Sequence, residues 1–329
     1  MGKKLSFIRD LINNKLRMCE FAITNICTAR CQFCSIWKQK NKITVDTEKA
    51  LKTISHLSTL GVRFITLTGG EPLLHPDFGK LIMRCTEENI VSSILAADAR
   101  LFTEKRLEAL ERAETDLVCL SVDHHTEEIA YQSRKIPDIL SHTEHAVREL
   151  KRRGIKTLAS TLICDFNYRS LRELFEKCTR MGFDLISVNY PEFSESPVYT
   201  LGGDAISLSE SDLIIALEEV IGLKKDFHIV NTEISIRNII SYLKRENPAY
   251  LCLGGYRVFF VDWFFQAYPC MHLARGMGDV LELAKDNFKK ETCNGCNMSW
   301  YRDFSLYFHN HFISCHNSTP NPAIKASIQ

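Results

Sequence analysis

The stretch LRMCEFAITNICTARCQFC, residues 16–34, joins a run of apolar and β-branched residues to three closely spaced cysteines. Residues 16–24 have the composition of a buried strand, and Cys27, Cys31 and Cys34 follow directly after it. In a folded sheet these cysteines would lie on the loop that leaves the carboxyl end of the strand. A strand that leads into a thiol-rich loop predicts a metal centre at one edge of the sheet.

Five more strand-like runs follow and alternate with segments of helical apolar spacing. The predicted strands are 16–24, 63–68, 91–96, 117–122, 155–163 and 184–190, and the predicted helices are 45–59, 77–89, 103–113, 137–153 and 169–182. Such alternation is typical of parallel strands joined by right-handed crossovers. Six units predict an α/β fold, a partial (β/α)6 TIM-like barrel, although periodicity alone leaves a doubly wound sheet as an alternative. In either fold the site belongs at the carboxyl ends of the strands.

Composition restricts the partners and the compartment. The chain of 329 residues has 41 Lys and Arg against 40 Asp and Glu, so its charge provides no field for nucleic acid. No apolar run is long enough to span a membrane and the N-terminus does not resemble a signal peptide, so we expect a cytoplasmic protein. Disulfides would not persist there, and metal binding is therefore the better explanation for clustered members of its 13 cysteines.

The spacing Cys27-x3-Cys31-x2-Cys34 favours an iron–sulfur cluster over structural zinc. A zinc site requires a fourth ligand nearby, and between Gln32 and Val45 the only Cys, His, Asp or Glu is Cys34. The spacing, with Phe33 before the last cysteine, resembles the motif of the radical S-adenosylmethionine (radical SAM) superfamily. The resemblance implies a 4Fe-4S cluster on three cysteines, with one iron open to S-adenosylmethionine.

A second motif, TGGEPLLHPD, follows the second predicted strand. Glycine allows a backbone to approach a ligand closely, and a carboxylate accepts hydrogen bonds from an ammonium group. The same motif occurs at this point in radical SAM proteins. The resemblance implies that Gly69, Gly70 and Glu71 contact the amino group of the methionine half of S-adenosylmethionine.

Polar side chains at the later strand ends are candidates for contacts with cofactor or substrate. Asp98 after the third strand either binds ribose hydroxyls or caps the helix that begins near Thr103. The other candidates are Ser121, Asp123 and Arg134 after the fourth strand, Thr161 at the end of the fifth and Asn189 at the end of the sixth. Thr161 and Asn189 have the alternative role of satisfied polar groups in the core.

A second cysteine group lies near the C-terminus, as Cys252-x17-Cys270 followed by Cys293-x2-Cys296. The intervening RVFFVDWFFQAYP predicts a hairpin. Four cysteines in two pairs suit a zinc ribbon as well as a second iron–sulfur cluster. Behind a radical SAM core the arrangement resembles a SPASM or twitch extension, which implies an auxiliary 4Fe-4S cluster on these four cysteines and leaves Cys315 over.

The predicted organisation has five parts. These are an N-terminal helix at 1–15, the barrel core at 16–200, a helical connection at 201–250 with helices at 207–224 and 233–246, an auxiliary-cluster domain at 251–315 and a tail at 316–329. Leu5, Ile8, Ile12 and Leu16 share one face of the first helix. We expect this stripe to pack against the barrel, with binding to a membrane surface as the alternative.

The resemblance implies reductive cleavage of S-adenosylmethionine to methionine and a 5′-deoxyadenosyl radical, with flavodoxin or ferredoxin as reductant. The radical would abstract hydrogen from a small-molecule substrate of biosynthetic metabolism, a nucleoside, a sugar or a lipid-like compound. One alternative is a radical SAM maturase that modifies a peptide. Another, of a different class, is a zinc-stabilised binding protein without enzymatic activity.

Overall fold

The computed structural model describes residues 2–13, 15–190, 194–195, 200–201, 208–246, 252–273, 275–289 and 298–313. The helices are α1 (Lys3–Ile12), α2 (Thr47–Thr59), α3 (Phe78–Glu87), α4 (Glu104–Arg112), α5 (Glu127–Arg134), α6 (Ile139–Arg152), α7 (Leu171–Met181), α8 (Glu210–Leu223), α9 (Glu233–Leu243) and α10 (Ser299–Ile313). The strands are β1 (Arg17–Thr24), β2 (Val62–Gly69), β3 (Val91–Ala96), β4 (Leu117–Ser121), β5 (Lys156–Leu162), β6 (Leu185–Asn189), β7 (Ser194–Glu195), β8 (Thr200–Leu201), β9 (Val258–Val261), β10 (Gln266–Tyr268) and β11 (Gly278–Asp279).

Strands β1 to β6 are parallel and lie side by side in chain order. A doubly wound sheet reverses its strand order at a switch point, and this sheet does not. Side chains from all six strands line one common cavity, so the sheet curves around an interior. The predicted partial (β/α)6 barrel is therefore confirmed.

The predicted strands and helices are all present, with only their ends shifted. Local chemistry explains several boundaries: the Asp46 carboxylate caps α2 by accepting from the Lys49 N–H at 2.8 Å, and α7 ends at Gly182 in the left-handed conformation. Two helices were not predicted, α5 after β4 and α10 near the C-terminus.

The sheet continues beyond β1 on the side away from β2. Strand β9 pairs with β1 in parallel, with Met18 opposite Val258, and β10 and β11 follow antiparallel. Strands β9 and β10 form the predicted hairpin. The addition of this hairpin and of β11 to the edge of the barrel sheet, which gives nine strands, was not predicted.

Helix α10 lies across the barrel between β6 and β2. At its first turn the Ser299 hydroxyl donates to Asn189 Oδ1 of β6 at 2.9 Å. One residue later the Trp300 ring packs on Phe64 of β2, with ring centroids 5.9 Å apart. The helix therefore connects the two sides of the open barrel.

Helix α1 packs on the barrel by a face other than the predicted one. Leu5, Ile8 and Ile12 are 61%, 50% and 69% exposed, so the prediction that this stripe is buried is wrong for these three. Leu16, its fourth member, is buried but lies beyond the end of α1. The buried side of the helix instead carries Asp10, which forms an ion pair with Arg63 of β2 at 2.7 Å. Phe7 and Leu11 also pack against the barrel, so the ion pair and these two apolar side chains together hold the helix in this orientation.

Among the described residues, no helix combines the length and the apolar composition needed to cross a bilayer.

Candidate functional site

The three cysteines of the N-terminal motif line one cavity at the carboxyl ends of the strands. This mouth cavity has a volume of about 290 Å³, and Cys27, Cys31, Cys34, Gly69 and Gly70 are all part of its lining. Two motifs that are separate in sequence therefore meet in the folded chain, as their positions after neighbouring parallel strands require. The roles of these residues as ligands and cofactor contacts stay predictions.

Main-chain contacts hold the cysteine loop in place. The N–H of Arg30 donates to the carbonyl of Arg134 at 2.9 Å, and that of Gln32 donates to the carbonyl of Ser133 at 3.2 Å. The loop is thus bonded to the end of α5, a helix that the sequence pattern did not reveal. Helix α5 consequently positions the cysteines although it carries none of them.

The two glycines allow one loop to approach another. A Cβ at Gly69, whose φ is +128°, would lie 2.1 Å from the Thr24 carbonyl oxygen, and one at Gly70 would lie 2.3 Å from that of Ile26. The Gly70 and Glu71 N–H groups donate to these carbonyls at 2.7 and 2.8 Å. Any side chain here would push the double-glycine turn away from the start of the cysteine loop.

The Glu71 carboxylate is fully buried and is not part of the cavity lining. Its Oε2 accepts hydrogen bonds from the N–H groups of Ala97 and Asp98 at 2.8 and 3.0 Å, and its Oε1 accepts from the Leu73 N–H at 3.3 Å. Glu71 thus joins the end of β2 to the end of β3. The contact between its carboxylate and an ammonium group stays a prediction, and both oxygens already have donors.

Asp98 is 1% exposed and serves as a cap. Its carboxylate accepts from the N–H of Arg100, at the start of the short 3₁₀ turn Ala99–Leu101, and forms a bidentate pair with the Arg100 guanidinium at 2.7 and 2.8 Å. Helix α4 begins later and has Thr103 at its N-cap. Of the two predicted roles, ribose binding and helix capping, the structure contains hydrogen bonds for capping. The capped element is the 3₁₀ turn Ala99–Leu101 and not the predicted helix near Thr103.

Asp123 and Arg134 form a buried pair beside the cysteines. The Arg134 guanidinium donates to both carboxylate oxygens at 2.7 and 3.1 Å, and its Nη1 lies 3.6 Å from Cys31 Sγ. Its Cζ lies 5.1 Å from the centre of the Phe33 ring. Asp123 thus orients Arg134, and Arg134 provides positive charge next to a predicted ligand.

Of the three remaining candidates, two line the mouth cavity and one lies in the core. Ser121 and Asn189 line the mouth cavity, and Asn189 also donates to Ser160 Oγ at 3.0 Å. Thr161 is fully buried and donates to the Val122 carbonyl at 2.7 Å. It therefore has the bonding expected of a satisfied core residue.

A second cavity, the inner cavity, lies further along the barrel towards the amino ends of the strands. Its volume is about 320 Å³, and it includes Phe64, Ser93 and Leu117 in its lining. Six residues line both cavities, namely Glu20, Leu95, Ser160, Asn189, Ser299 and Trp300. The sequence analysis did not identify most of these lining residues. Glu20 could have been noticed, because it is a single carboxyl group within the apolar run of β1.

The donor set at the mouth suits a four-iron cluster. Cys27, Cys31 and Cys34 would supply three soft thiolates, the ligands that hold iron–sulfur clusters.

Burial keeps the thiols protonated in the metal-free chain. It raises the pKa of Cys27 to about 12 and that of Cys31 to about 11, the latter in spite of Arg134. Coordination would therefore have to ionise these thiols, as bound metal does.

The second cysteine group is described only in part. A Cβ at Gly254 would lie 3.3 Å from Cys252 Sγ and 3.1 Å from the carbonyl oxygen of Pro269, the residue before Cys270. The Gly254 N–H also donates to Cys252 Sγ at 3.3 Å. The two ends of the hairpin segment thus lie together, whereas Cys293, Cys296 and Cys315 fall outside the described residues.

Curated proteins are similar to part of the chain. The PqqA peptide cyclase of Gluconobacter oxydans (strain 621H) is 24% identical over 173 residues, which are 52% of this chain and 48% of the cyclase. A GTP 3′,8-cyclase of Clostridium botulinum is 30% identical over 118 residues, which are 35% of this chain and 37% of that protein. The chain thus spans about half the length, or less, of these relatives.

Solved structures share the fold over most of the chain. Streptococcus suis SuiB bound to S-adenosylmethionine has a TM-score of 0.65 at 15% identity, covering 88% of this chain and 70% of SuiB. The protein anSMEcpe with bound AdoMet has a TM-score of 0.64 at 15% identity, covering 90% of this chain and 96% of that one. A family model described as the Radical SAM superfamily matches residues 21–178. These residues, which contain both N-terminal motifs, are therefore a domain of the Radical SAM superfamily.

Proposed function

We propose that this chain is an enzyme that reductively cleaves S-adenosylmethionine and directs the resulting radical at a small molecule held in the barrel. The observation that carries the proposal is the common lining of the mouth cavity by Cys27, Cys31, Cys34, Gly69 and Gly70. With a reduced 4Fe-4S cluster and S-adenosylmethionine bound there, the chemistry supplied would be cleavage to methionine and a 5′-deoxyadenosyl radical.

The residues of the chain would bind the cluster, orient S-adenosylmethionine and the substrate, and keep water out of the cavity. The three cysteines would hold the cluster, while Arg134, oriented by Asp123, keeps positive charge beside Cys31. Ser121 and Asn189 offer hydrogen bonds to the nucleoside half or to the substrate. Trp300 and Leu95 wall the cavity with apolar surface, which limits the access of water to a reactive radical.

An auxiliary 4Fe-4S cluster on Cys252, Cys270, Cys293 and Cys296, in a domain at 251–315, is part of the proposal. It is supported by the proximity of Cys252 to the chain before Cys270 and by Met271, which lines the mouth cavity. A cluster at this place would border the substrate.

A small molecule of biosynthetic metabolism is favoured because both cavities are compact, at about 290 and 320 Å³, and are lined by the strands and α10. The second candidate is peptide modification. It is favoured by the match to PqqA peptide cyclase, and by the likeness of the fold to SuiB bound to its precursor peptide, at a TM-score of 0.62. We place the enzyme in the cytoplasm, with flavodoxin or ferredoxin as reductant.

The test is anaerobic reconstitution of the full chain, followed by reduction with S-adenosylmethionine present. We expect the wild type to form 5′-deoxyadenosine and to bind about seven to eight irons with matching sulfide, as two four-iron clusters require. Cys31→Ala should abolish 5′-deoxyadenosine, because the first cluster loses a ligand. Cys252→Ala should retain cleavage but bind only about four irons.

The matched control is Cys178→Ala, which removes an equally buried thiol in α7, outside the cavity lining. This variant should keep both the iron content and the cleavage of the wild type. Undiminished 5′-deoxyadenosine from Cys31→Ala, or zinc without sulfide in the wild type, would refute the proposed function.

A further inference from the structure

Glu20 projects from the middle of β1 into the interior of the barrel. It lines both the mouth cavity and the inner cavity, yet its side chain is only 8% exposed. Its neighbours across the sheet are Thr66 of β2 and Phe260 of β9. Glu20 therefore stands where the two cavities meet, on the strand that leads into the cysteine loop.

One oxygen of the buried Glu20 carboxyl group, Oε2, lacks a hydrogen-bond partner among the described residues. Burial raises the pKa of the group to about 8. Buried polar groups in native proteins nearly always have a partner, and an exception requires an explanation.

Other buried carboxylates of the barrel show how the chain meets this requirement. Glu71 has three backbone N–H donors, and Asp123 has the Arg134 guanidinium together with the Ser133 hydroxyl. Asp303 of α10 accepts from the Asn231 amide at 2.7 Å and the Thr232 N–H at 2.9 Å. Glu20 is different in that its Oε2 accepts no hydrogen bond from the described residues, while the side chain lines two cavities from which a ligand could donate one.

The chemistry of that group follows from the cavity lining. Arg134 is the only Lys, Arg or His among the described lining residues of the two cavities, and it is already bonded to Asp123 and close to Cys31. The surrounding surface is largely apolar and includes the aromatic rings of Phe64, Trp300 and Phe304. The partner of Glu20 would therefore be a donor on a ligand whose remaining surface is apolar.

We propose that Glu20 binds a basic nitrogen of the substrate, so that the barrel selects a compact molecule with an apolar or aromatic body and one amine or amidine group. This inference rests on the proposed function, because it takes the barrel interior to be the substrate site. A charge-assisted hydrogen bond in an apolar cavity is strong, and it would both orient the molecule and exclude analogues without the nitrogen.

The test is calorimetric titration of the full chain with two probes of nearly equal shape, benzylamine and benzyl alcohol. We expect the wild type to bind benzylamine about tenfold or more tightly than benzyl alcohol, the factor that a charge-assisted hydrogen bond provides. Glu20→Gln should lose this preference while keeping its affinity for benzyl alcohol. Glu20→Asp, which withdraws the carboxylate by one methylene, should keep part of the preference.

Glu128→Gln is the control, because it makes the same change of carboxylate to amide on the exposed side of α5, outside the lining of both cavities. This variant should prefer benzylamine as the wild type does. The inference is overturned if the wild type binds both probes equally or binds neither. It also fails if the preference survives in Glu20→Gln or disappears in Glu128→Gln.

The titration needs no reduced cluster, so its result is independent of S-adenosylmethionine cleavage. If the wild type forms 5′-deoxyadenosine normally but does not prefer benzylamine, only the role of Glu20 is refuted. If the wild type prefers benzylamine but forms no 5′-deoxyadenosine, the proposed function is refuted and a nitrogen-binding cavity is left.

Discussion

Glu20 and Glu71 are two buried carboxyl groups that differ in their hydrogen-bond donors. Burial raises the pKa of both carboxyl groups, to about 8 for Glu20 and about 7 for Glu71, where three backbone N–H donors oppose the effect. Glu71 thus contributes to the joining of two strand ends. Glu20 has no such partner, and the fold bears the cost of its burial.

This cost predicts a pH-dependent stability difference between the wild type and Glu20→Gln. The pKa of Glu20 rises from 4.5 to about 8 on folding, so the folded chain binds more protons than the unfolded chain between those values. The contribution of this group to stability therefore falls as pH rises through that window. The melting temperature of Glu20→Gln should exceed that of the wild type by a margin that grows from about pH 5 to about pH 8.

Two titratable groups that interact electrostatically with Glu20 do not ionise in this window. Burial raises the pKa values of Cys19 and Tyr301 well above their usual ranges, so both side chains stay neutral in this window. Glu128→Gln, on the exposed side of α5, is the control and should differ from the wild type by the same amount at every pH. A margin for Glu20→Gln that is constant, or that shrinks towards alkaline pH, would contradict the argument.

At the scale of residues, the sequence predicts positions better than partners. The positions of Cys27, Cys31 and Cys34 after the first strand, and of Gly69 after the second, were enough to predict that they lie together, and all four line the mouth cavity. The donors of Glu71 were not foreseeable, because they belong to the following strand end and depend on how closely the two loops approach.

The loop after β1 and the turn after β2 act as one unit at the scale of elements. Their contact is made by backbone atoms, with Gly70 N–H donating to the Thr24 carbonyl and Glu71 N–H to that of Ile26. The cysteines begin immediately after Ile26. The position of the cysteine loop therefore depends on the absence of a side chain at the turn.

Gly70→Ala tests this dependence. The added Cβ would meet the Ile26 carbonyl oxygen at 2.3 Å, so one of the two loops must move. We expect a loss of about 1–3 kcal/mol in the free energy of unfolding, the usual cost of overpacking. We also expect less iron to be incorporated on reconstitution. Denaturant unfolding and iron analysis of the full chain measure both effects.

Gly222→Ala is the matched control, because a Cβ at this position in α8 meets nothing within 4 Å. It should be neutral, or more stable by up to about 1 kcal/mol, since alanine favours helix. Normal iron incorporation in Gly70→Ala would mean that the turn does not position the cysteines.

Elements with a regular pattern were predictable and the others were not. The six strands and their crossover helices have a clear period, and all of them are present. Helix α10 is rich in aromatic residues on several sides, since Trp300 faces the barrel while Tyr301 is buried elsewhere, so it has no simple apolar stripe. The stripe of α1 was clear but misleading, because the side of the helix that packs on the barrel carries Phe7, Leu11 and the Asp10 carboxylate paired with Arg63.

An open barrel of six strands requires something to cover its interior at the scale of the whole molecule. Helix α10 has this role, through Ser299 on β6 at one end and Trp300 on β2. The segment before α9 joins it, because Ile229 pairs with Ile186 of β6 and Asn231 bonds to Val188. The wall of the inner cavity thus depends on contacts made far along the chain from the cysteines.

Asp303 is the side chain that connects α10 to this segment. Its carboxylate accepts from the Asn231 amide and from both the N–H and the hydroxyl of Thr232. In Asp303→Asn an amide N–H₂ group replaces one of the accepting oxygens and faces a donor. We expect a loss of about 1–3 kcal/mol in the free energy of unfolding, the usual cost of leaving a buried donor without an acceptor.

Hydrogen exchange shows where this loss acts. Amides of α10 and of residues 229–232 should exchange faster in Asp303→Asn than in the wild type, while those of β3 and β4 should not change. Asp226→Asn is the control, because Asp226 forms a half-exposed pair with Arg172 at 2.8 Å and should contribute less than about 1 kcal/mol. Unchanged exchange in α10 would mean that aromatic packing on Phe64, not the carboxylate, holds the helix across the barrel.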